Sequence, residues 1–254
     1  MQLANPVKEA LRAGGSAVGV FITIPAPEIV EIFALAGFDF VLIDAEHGPI
    51  SPESAYPMVL AAEANGIPAF ARVGQNDRQV ILKFLDIGVA GVMIPQVATP
   101  TAAAEAVAAM RYRPRGLRGL AGGRSFSWGL AAPARDLVPK INDRVLSLVQ
   151  FEHISALDHL EAILRTPDLD VLFVGPNDLA QSMDLPGQPD HPEVEAVIAQ
   201  VLRRAQGSSV ALATTAPNAA AANRRLEQGF RMVVASATGL LAAAARDYVA
   251  GVRR

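Results

Sequence analysis

Polar and charged side chains follow four stretches of this sequence that have the pattern of buried β-strands. They are Asp44, Glu46, His47, Arg72, Gln150, Glu152, Asn177 and Asp178. In an α/β barrel the active site is built from the strand ends and from the loops that follow them. We therefore expect these side chains, which lie far apart in the sequence, to converge on one rim of the fold.

Two of these residues, Glu152 and Asp178, follow neighbouring predicted strands and offer hard oxygen ligands. Two carboxylates, completed by water and a chelating substrate, suit Mg²⁺ or Mn²⁺, with Co²⁺ as a further candidate. A 2-keto acid can supply its carboxylate and keto oxygens as a bidentate pair. The metal would then act as a Lewis acid on the developing enolate oxygen. The sequence predicts a divalent-metal site and no organic cofactor.

Arg72 and His47 add the other groups that enolate chemistry needs. Arg72 is planar and permanently charged, so it can hold a carboxylate and stabilise an enolate. An imidazole can take up and release a proton near neutral pH, which makes His47 the natural general base for a hydroxyl group. Asp86 lies in the helix after the third strand, and it would orient the imidazole and raise its basicity if it reached His47.

An enolate of a keto acid can also be stabilised without a metal. In that case the keto group forms a Schiff base with a lysine on the inner wall of the barrel. The chain has three lysines, Lys8, Lys83 and Lys140, and none falls at a predicted strand end. The absence of cysteine also removes thiolate nucleophiles and cysteine-ligated zinc. These counts favour the metal-dependent route.

Each of these residues could also have a purely structural role. Asp178 could cap a helix, Arg72 could belong to a structural ion pair, and His47 could be a rim histidine with no chemical role. Glu152 stands alone among apolar residues, where an unpaired carboxylate would be costly, so a ligand role is favoured. The remaining histidines are expected on the surface or behind the site: His153, His159 and His191.

Short β-rich runs alternate with longer helical patterns along the chain, which predicts parallel βαβ units. Eight strands are predicted, at residues 18–23, 40–44, 69–72, 91–94, 145–152, 171–174, 210–214 and 232–235. Several are nearly continuous apolar runs, as expected for strands buried on both faces. A (β/α)8 barrel usually needs roughly 250 residues. We therefore expect residues 1–254 to form a single α/β domain, a (β/α)8 TIM barrel.

Local signals place several helix ends. Ser51 and Thr99 each precede a proline and should cap a helix. Asp190 followed by Glu193 has the spacing of a capping box, and Gly37 should end a helix.

Residues 112–143 break the alternation of strands and helices between the fourth and fifth strands. An insertion of this length is usually functional or interfacial. The adjoining basic cluster is interpreted as a solvated loop, with an anion site as the alternative: Arg111, Arg113, Arg115 and Arg118.

Composition argues against other classes of protein. The net charge is −3 and the charges are mixed, so no basic stripe is present for nucleic acid. No apolar run approaches the ~20 residues of a membrane span. Residues 1–15 carry charges that do not fit a signal peptide. We expect a cytoplasmic enzyme with small-molecule substrates.

Taken together, the motifs resemble the metal-dependent 2-keto-3-deoxy acid aldolases of the HpcH/HpaI type. The matching segments are residues 42–48, 71–73, 85–95, 115–119, 150–152 and 173–179. Their order and spacing agree over nearly the whole chain, and together they are specific where each alone would be weak. The resemblance implies a barrel of the phosphoenolpyruvate/pyruvate type.

The resemblance also implies residue roles. Glu152 and Asp178 would be the metal ligands, His47 the acid–base residue with Asp86 behind it, and Arg72 the transition-state stabiliser. Pyruvate would contact Gln150, Gly175, Pro176, Asn177 and Asp178, while Asp44, counted with the catalytic residues, and Glu46 would hold water near the metal.

Family members typically form hexamers, trimers of dimers that exchange a C-terminal helix, which here would span residues 238–252. Two segments depart from the family pattern. His153 replaces a small residue after the Gln-x-Glu motif, and residues 236–238 stand where an aspartate is common. Both departures bear on the aldehyde partner, not on the metal ligands.

The predicted function is that of a class II pyruvate aldolase, which cleaves or forms 4-hydroxy-2-keto acids and can also decarboxylate oxaloacetate. The runner-up is a barrel lyase acting on an acyl-CoA such as malyl- or citramalyl-CoA. A catalytically inactive barrel that serves as a binding module is a third reading. The intact set of Glu152, Asp178, Arg72 and His47 argues against it.

Overall fold

A computed structural model describes residues 4–252 of the protein as one closed barrel of eight parallel strands. The strands are β1 (Ala17–Ile22), β2 (Phe40–Asp44), β3 (Ala69–Arg72), β4 (Gly91–Ile94), β5 (Leu146–Phe151), β6 (Val171–Val174), β7 (Ala211–Thr215) and β8 (Met232–Ser236). Each strand pairs with the next, and β8 pairs with β1. The predicted (β/α)8 fold is confirmed. The extent of the single domain, 1–254, stays a prediction whose first three and last two residues lie outside the described part.

The strands alternate with helices, which are eleven in number within residues 4–252. They are α1 (Pro6–Arg12), α2 (Pro27–Leu35), α3 (Pro52–Ala64), α4 (Arg78–Asp86), α5 (Pro100–Met110), α6 (Ala134–Arg144), α7 (Leu160–Leu164), α8 (Pro176–Ser182), α9 (Pro192–Arg204), α10 (Ala219–Glu227) and α11 (Ala237–Gly251). Two short 3₁₀ segments, Arg124–Gly129 and Ile154–His159, complete the set. No helix among those described has the length and apolar content that crossing a membrane requires.

The strand predictions hold closely. β2, β3, β4 and β6 have the predicted bounds, and the ends of the other four strands differ from the predicted ones by at most one residue. One shift affects the site, because β5 ends at Phe151 and Glu152 follows the strand instead of ending it. At that position the carboxylate stands at the rim of the barrel.

The interior of the barrel is a packed core. Phe40, Phe70 and Phe173 fill it and are buried. Gly19 gives Phe40 its room, because a Cβ on Gly19 would lie 2.0 Å from the Cζ atom of the Phe40 ring. A second apolar layer lies between the strands and the helices. Because the interior is filled, a ligand can bind only at a rim.

Two of the three predicted caps are present. The side chain of Ser51 accepts a hydrogen bond from the Ser54 backbone N–H, and that of Thr99 caps α5. The capping box at Asp190 is wrong. His191 caps α9 instead, since its Nδ1 accepts from the backbone N–H of Glu193 at 3.3 Å. The prediction for Gly37 is confirmed, as it follows α2 with a φ of +93°.

The basic cluster beside the insertion is only partly a solvated loop. Arg113 and Arg115 are exposed, but Arg111 and Arg118 are buried. Arg111 lies 3.3 Å from Asp170, and Arg118 lies 2.8 Å from Asp86. The solvated interpretation is therefore wrong for Arg111 and Arg118, because each pairs with a carboxylate contributed by another part of the barrel.

The C-terminal helix has few contacts with its own chain. Of α11 only Ala237 is buried, and Tyr248 is 76% exposed. The preceding helix, α10, has no buried residue. The outward-facing Val18 of β1, beside β8, is also exposed. A barrel normally carries a complete outer ring of helices. Here the ring is open beside β8 and β1, where α11 and Val18 are exposed.

Candidate active site

The predicted site residues gather at the carboxyl ends of β2, β3, β5 and β6. Asp44 and Arg72 are register partners at the ends of β2 and β3. A cavity of about 560 Å³ lies at this rim and is lined in part by Glu46, His47, Glu152 and Asp178. The convergence expected from the strand order is therefore present in the fold.

Arg72 is held by two carboxylates and one ring. Its Nε and Nη2 atoms donate to the two oxygens of Asp44 at 2.9 and 2.5 Å, while Nη1 lies 3.2 Å from Glu46 Oε2. The guanidinium also stacks over Phe21, 4.6 Å from the ring centroid. A bidentate pair fixes the plane of the guanidinium. The arrangement holds Arg72 at the rim and leaves N–H groups on both terminal nitrogens that the pair with Asp44 does not use.

The turn after β2 is built around Asp44. Its Oδ1 atom also accepts the backbone N–H groups of Glu46 and His47, at 3.1 and 3.2 Å. Gly48 closes the turn, because a Cβ there would lie 2.5 Å from the Asp44 carbonyl oxygen. The turn leaves His47 exposed at the cavity, with its Nε2 atom 3.8 Å from Glu46 Oε2.

Glu152 is a buried carboxylate without a cationic partner in direct contact among residues 4–252. Its Oε1 accepts the backbone N–H of Gln96 at 2.6 Å, and its Oε2 accepts Gln150 Nε2 at 2.5 Å. The pKa of Glu152 is raised to about 7, chiefly by burial; the negative charges of Asp178 and Glu46 contribute to the rise, while the hydrogen bond from Gln96 and the charge of Arg72 oppose it. Burial likewise raises the pKa of Glu46, although Arg72 opposes the shift.

The charges at this rim fit a divalent cation. Four carboxylates lie at this rim, those of Asp44, Glu46, Glu152 and Asp178, and the guanidinium of Arg72 contacts the first two. Burying carboxylates without a counter-charge is costly, and a bound cation removes that cost. No group of three or more His, Cys, Asp or Glu in residues 4–252 is arranged to hold an ion. The protein would therefore contribute few ligands, and water and substrate the remainder.

Two further details fit a small ligand beside Glu152. The Oε1 atom of Gln150 is buried and has no hydrogen-bond partner among the described residues. Gly175 faces the same carboxylate, and a Cβ there would lie 3.2 Å from the Cβ and 3.3 Å from Oε2 of Glu152. An unsatisfied buried oxygen and a space kept open by glycine are features of a ligand pocket.

A second cavity, of about 750 Å³, lies at the ends of β6, β7, β8 and β1. Pro176, Asn177 and Phe21 line it toward the site, and Ser236 lines its far side. Of the two departures from the family pattern, His153 lines the first cavity and Ser236 the second. Both therefore lie close to the pocket, as the sequence indicates.

Asp86 does not reach His47 within this chain. It is the last residue of α4, a helix that runs back from the catalytic rim, and its carboxylate accepts a hydrogen bond from Arg118 at 2.8 Å. The sequence predicts the helix that carries Asp86, but it does not predict how that helix is oriented relative to the turn after β2. The Nε2 atom of His47 instead lies 3.8 Å from Glu46 Oε2, without a hydrogen bond between them.

Several contributors escape sequence reasoning. Gln96 donates its backbone N–H to Glu152 from a left-handed backbone conformation, φ +55°, which no glycine or asparagine signals. Phe21 ends an ordinary apolar strand, yet it lies under Arg72. Glu46 could be placed near the metal but not paired with Arg72.

Comparison with known proteins identifies the family of this barrel. A model of the HpcH/HpaI aldolase/citrate lyase family matches residues 17–245. A hydroxypyruvate/pyruvate aldolase of Cupriavidus necator is 36% identical over 100% of this chain and 94% of that protein. A 2-keto-3-deoxy-L-rhamnonate aldolase of Klebsiella pneumoniae is 33% identical over 96% of this chain and 91% of that protein.

A solved structure agrees with both the sequence and the fold. The crystal structure of an HpcH/HpaI aldolase/citrate lyase family protein from Burkholderia cenocepacia superposes with a TM-score of 0.92. It is 33% identical and covers 99% of this chain and 100% of that one. The resemblance seen in the motifs is thus confirmed by sequence and by structure, and the chain belongs to the HpcH/HpaI aldolase/citrate lyase family.

Proposed function

We propose that the protein is a metal-dependent aldolase that joins pyruvate to an aldehyde and cleaves the resulting 4-hydroxy-2-keto acid. Family membership makes it a carbon–carbon lyase. The observation that carries the proposal is the single cavity in which Glu152, Asp178 and His47 meet, with Arg72 held beside it by Glu46.

The metal would be held by Glu152 and Asp178, with water and the substrate as the other ligands. When bound, it would supply Lewis-acid stabilisation of negative charge on the keto oxygen of the substrate. The preference among Mg²⁺, Mn²⁺ and Co²⁺ stays open, because hard oxygen ligands suit all three.

The side chains of this chain would bind and orient the keto acid. Arg72 would hold the carboxylate and stabilise the enolate oxygen with its remaining N–H groups. Gln150, Gly175, Pro176 and Asn177 would surround the pyruvate moiety. Asp44 accepts Arg72 through both oxygens, which supports a positioning role for it in place of a water-holding one.

His47 would move the proton. In the cleavage direction it removes the proton of the 4-hydroxyl group, the C3–C4 bond breaks, and an aldehyde and the pyruvate enolate form. Protonation of C3 then gives pyruvate. Oxaloacetate loses CO₂ to the same enolate, so decarboxylation of oxaloacetate belongs to the proposal.

The acyl-CoA lyase alternative is less well supported. Relatives that are 33–36% identical over more than nine tenths of this chain are named as aldolases. The test is turnover of free pyruvate with a short aldehyde in the presence of Mn²⁺. The proposal expects the aldol product without any thioester, and a strict need for an acyl-CoA would overturn it.

The variant His47→Ala tests proton transfer separately from the binding of pyruvate. The variant should lose aldol turnover by about two to four orders of magnitude, the usual range for a general base, while pyruvate still binds. Unchanged turnover would remove His47 from the proposal. A matched control is His159→Ala, because His159 lies in the 3₁₀ segment before α7 and lines neither cavity at this rim.

We propose in addition that α11 packs on a second copy of the chain, in an assembly up to a hexamer. The exposed Leu241, Tyr248 and Val249 of α11 support this, and so does the open side of the helix ring at Val18. Light scattering should give a multimer for the full chain and smaller species for a Leu241→Asp, Tyr248→Asp variant. A full chain that is monomeric at micromolar concentration would contradict this proposal. The cytoplasmic location stays a prediction.

A further inference from the structure

The amino-terminal end of the barrel, opposite the catalytic rim, is closed by helix α1. Val7 and Leu11 of this helix pack into the core inside the barrel. The side chain of Asn5, which caps α1, donates to the backbone carbonyls of Ala90 and Arg144 at 3.2 and 2.9 Å. Because Arg144 is the last residue of α6, these bonds hold α1 beside the carboxyl end of α6.

A cavity of about 390 Å³ lies between α1 and α6. The charged side chains that line it are Lys8, Glu9 and Arg12 of α1, and Lys140, Asp143 and Arg144 of α6. Four of these six are cations and two are carboxylates. One of the carboxylates, Asp143, already lies 2.5 Å from the guanidinium of Arg115. The lining therefore carries an excess of positive charge.

Arg144 is buried in this lining without a carboxylate to balance its charge. It is 6% exposed, and its terminal nitrogens donate only to the backbone carbonyls of Val89 and Gly88. Its Nε atom is buried and has no hydrogen-bond partner among the described residues. The nearby Glu63 is held by Arg124 at 2.6 Å. Burial lowers the pKa of Arg144 to about 10, although Glu63 opposes the shift. An anion in the cavity would offset the cost of burying this charge.

The carboxylate behind Lys8, that of Asp170, does not neutralise the cluster. It lies 2.7 Å from Lys8, 3.3 Å from Arg111 and 3.9 Å from Arg12, so three cations share one negative charge. Lys140 is exposed and has no ion pair among the described residues. Arg12 and Lys140 are long and exposed at the cavity, one on each helix, and both can turn toward a ligand.

We propose that this cavity binds a phosphate-sized oxyanion between Arg12 of α1 and Lys140 and Arg144 of α6. A phosphate group carries close to two negative charges and several acceptor oxygens at neutral pH, so it can face cations from both helices at once. Free phosphate and a phosphomonoester share this chemistry. The site lies at the opposite end of the barrel from the catalytic rim, and it does not depend on the aldolase function.

Stability and calorimetry test the proposal on the metal-free full chain. A ligand that binds only the folded state stabilises it by mass action, and here it would also tie α1 to α6. Millimolar phosphate at constant ionic strength should therefore raise the unfolding temperature, with a response that saturates. Isothermal titration calorimetry should give one site per chain and its Kd.

Exposed residues provide variants that leave the fold intact. Lys140→Gln should raise the Kd for phosphate about three- to fivefold, as expected for one exposed charge pair. The double variant Arg12→Gln, Lys140→Gln should raise it roughly tenfold or more, with aldol turnover unchanged. Lys83→Gln is the matched control, because Lys83 is an exposed lysine of α4 outside the cavity. Its Kd should equal that of the unaltered protein.

Methyl phosphate distinguishes the two sources of the ligand. Binding at least as tight as that of phosphate would assign the site to a phosphomonoester, whereas binding of inorganic phosphate alone would assign it to the free ion. Acetate, which is planar and singly charged, should bind more weakly than either.

Three results would overturn the proposal. The first is a chain that does not bind phosphate, and the second is a Kd that is the same in the double variant and in Lys83→Gln. The third is binding that is lost in Arg72→Gln but kept in the double variant, because the anion would then lie at the catalytic rim. None of these results bears on the aldolase function, which is tested by turnover of pyruvate with an aldehyde.

Discussion

At the scale of single residues, the proposed chemistry depends on how Arg72 is held. Its guanidinium meets both oxygens of Asp44, approaches Glu46 and stacks on Phe21. Three different neighbours restrict one side chain, which therefore loses little freedom when a substrate binds. Pre-organised charge of this kind is the usual source of electrostatic stabilisation in enzymes.

Asp44→Asn should lower kcat/KM for aldol cleavage by roughly 10- to 100-fold. The reason is that a hydrogen bond to a charged partner, worth about 1.5–3 kcal/mol, is weakened and Arg72 loses its fixed plane. Steady-state kinetics at saturating Mn²⁺ measures the change. Asp39→Asn is a suitable control, since Asp39 accepts the backbone N–H of Val18 away from the site. Equal losses in the two variants would contradict the positioning role of Asp44.

The raised pKa of Glu152 predicts that the stability of the metal-free protein depends on pH. Its folded pKa of about 7 lies above the ordinary value of 4.5. The folded state therefore holds the proton more tightly, and the contribution of this group is full below pH 4.5 and is lost as the pH rises through 7. Glu152→Gln removes the charge, so the variant should be more stable than the unaltered protein at pH 8 by roughly 2–3 kcal/mol.

Denaturant unfolding in the presence of a chelator measures this difference. The gap between the two proteins should shrink as the pH is lowered from 8 to 5. Gln150 can adapt to the new amide, because its buried Oε1 has no partner and can accept a hydrogen bond after a flip. A gap that is absent at pH 8, or that widens toward pH 5, would contradict the burial of an uncompensated carboxylate.

At the scale of elements, short turns rather than strands determine where the chemical groups point. The turn after β2 brings the carboxylates of Asp44 and Glu46 to Arg72 and leaves His47 exposed at the cavity, and Gly48 allows the turn to close. The strand bounds could be predicted from apolar runs bounded by polar residues. The pairing of Arg72 with Glu46 could not, because it depends on the turn's conformation.

Gly48→Ala should damage both stability and activity. Its Cβ would lie 2.5 Å from the Asp44 carbonyl oxygen and 3.1 Å from that of Thr23, so backbone must move. We expect a loss of about 1–3 kcal/mol in the free energy of unfolding, as for other overpacked sites, and a larger fractional loss of kcat. Gly74→Ala, whose Cβ would have 3.9 Å to its nearest neighbour, is the control. Similar effects in both variants would contradict a structural requirement for glycine in the turn after β2.

Long-range contacts between elements explain why some predictions from the sequence differ from the structure. Asp86 is predicted to support His47 if it reaches that residue, but within this chain its carboxylate accepts a hydrogen bond from Arg118. Arg111 looks like a surface residue in a polar stretch, and only the folded barrel places it beside Asp170. Helix α9 begins one residue later than its acidic signal, because the His191 ring is the better-placed acceptor. These contacts are long-range, and spacing along the chain does not encode them.

At the scale of the whole molecule, the barrel is the part that sequence predicts best. Eight apolar runs separated by helical patterns leave few other ways to bury both faces of each strand. Closure then brings Glu152 and Asp178 to one rim without any local signal that they meet. The same closure leaves α11 and the side of the barrel at Val18 exposed.

In the proposed function, Glu152 and Asp178 hold one cation against the keto acid. Exchange of the methyl protons of pyruvate with D₂O, followed by proton NMR, tests it without any aldehyde. Mn²⁺ or Mg²⁺ should stimulate exchange in the unaltered protein and in Glu161→Gln, a carboxylate that pairs with Arg204 away from the site. Glu152→Gln and Asp178→Asn should each abolish the stimulation. Full exchange in either variant after treatment with a chelator would contradict the claim.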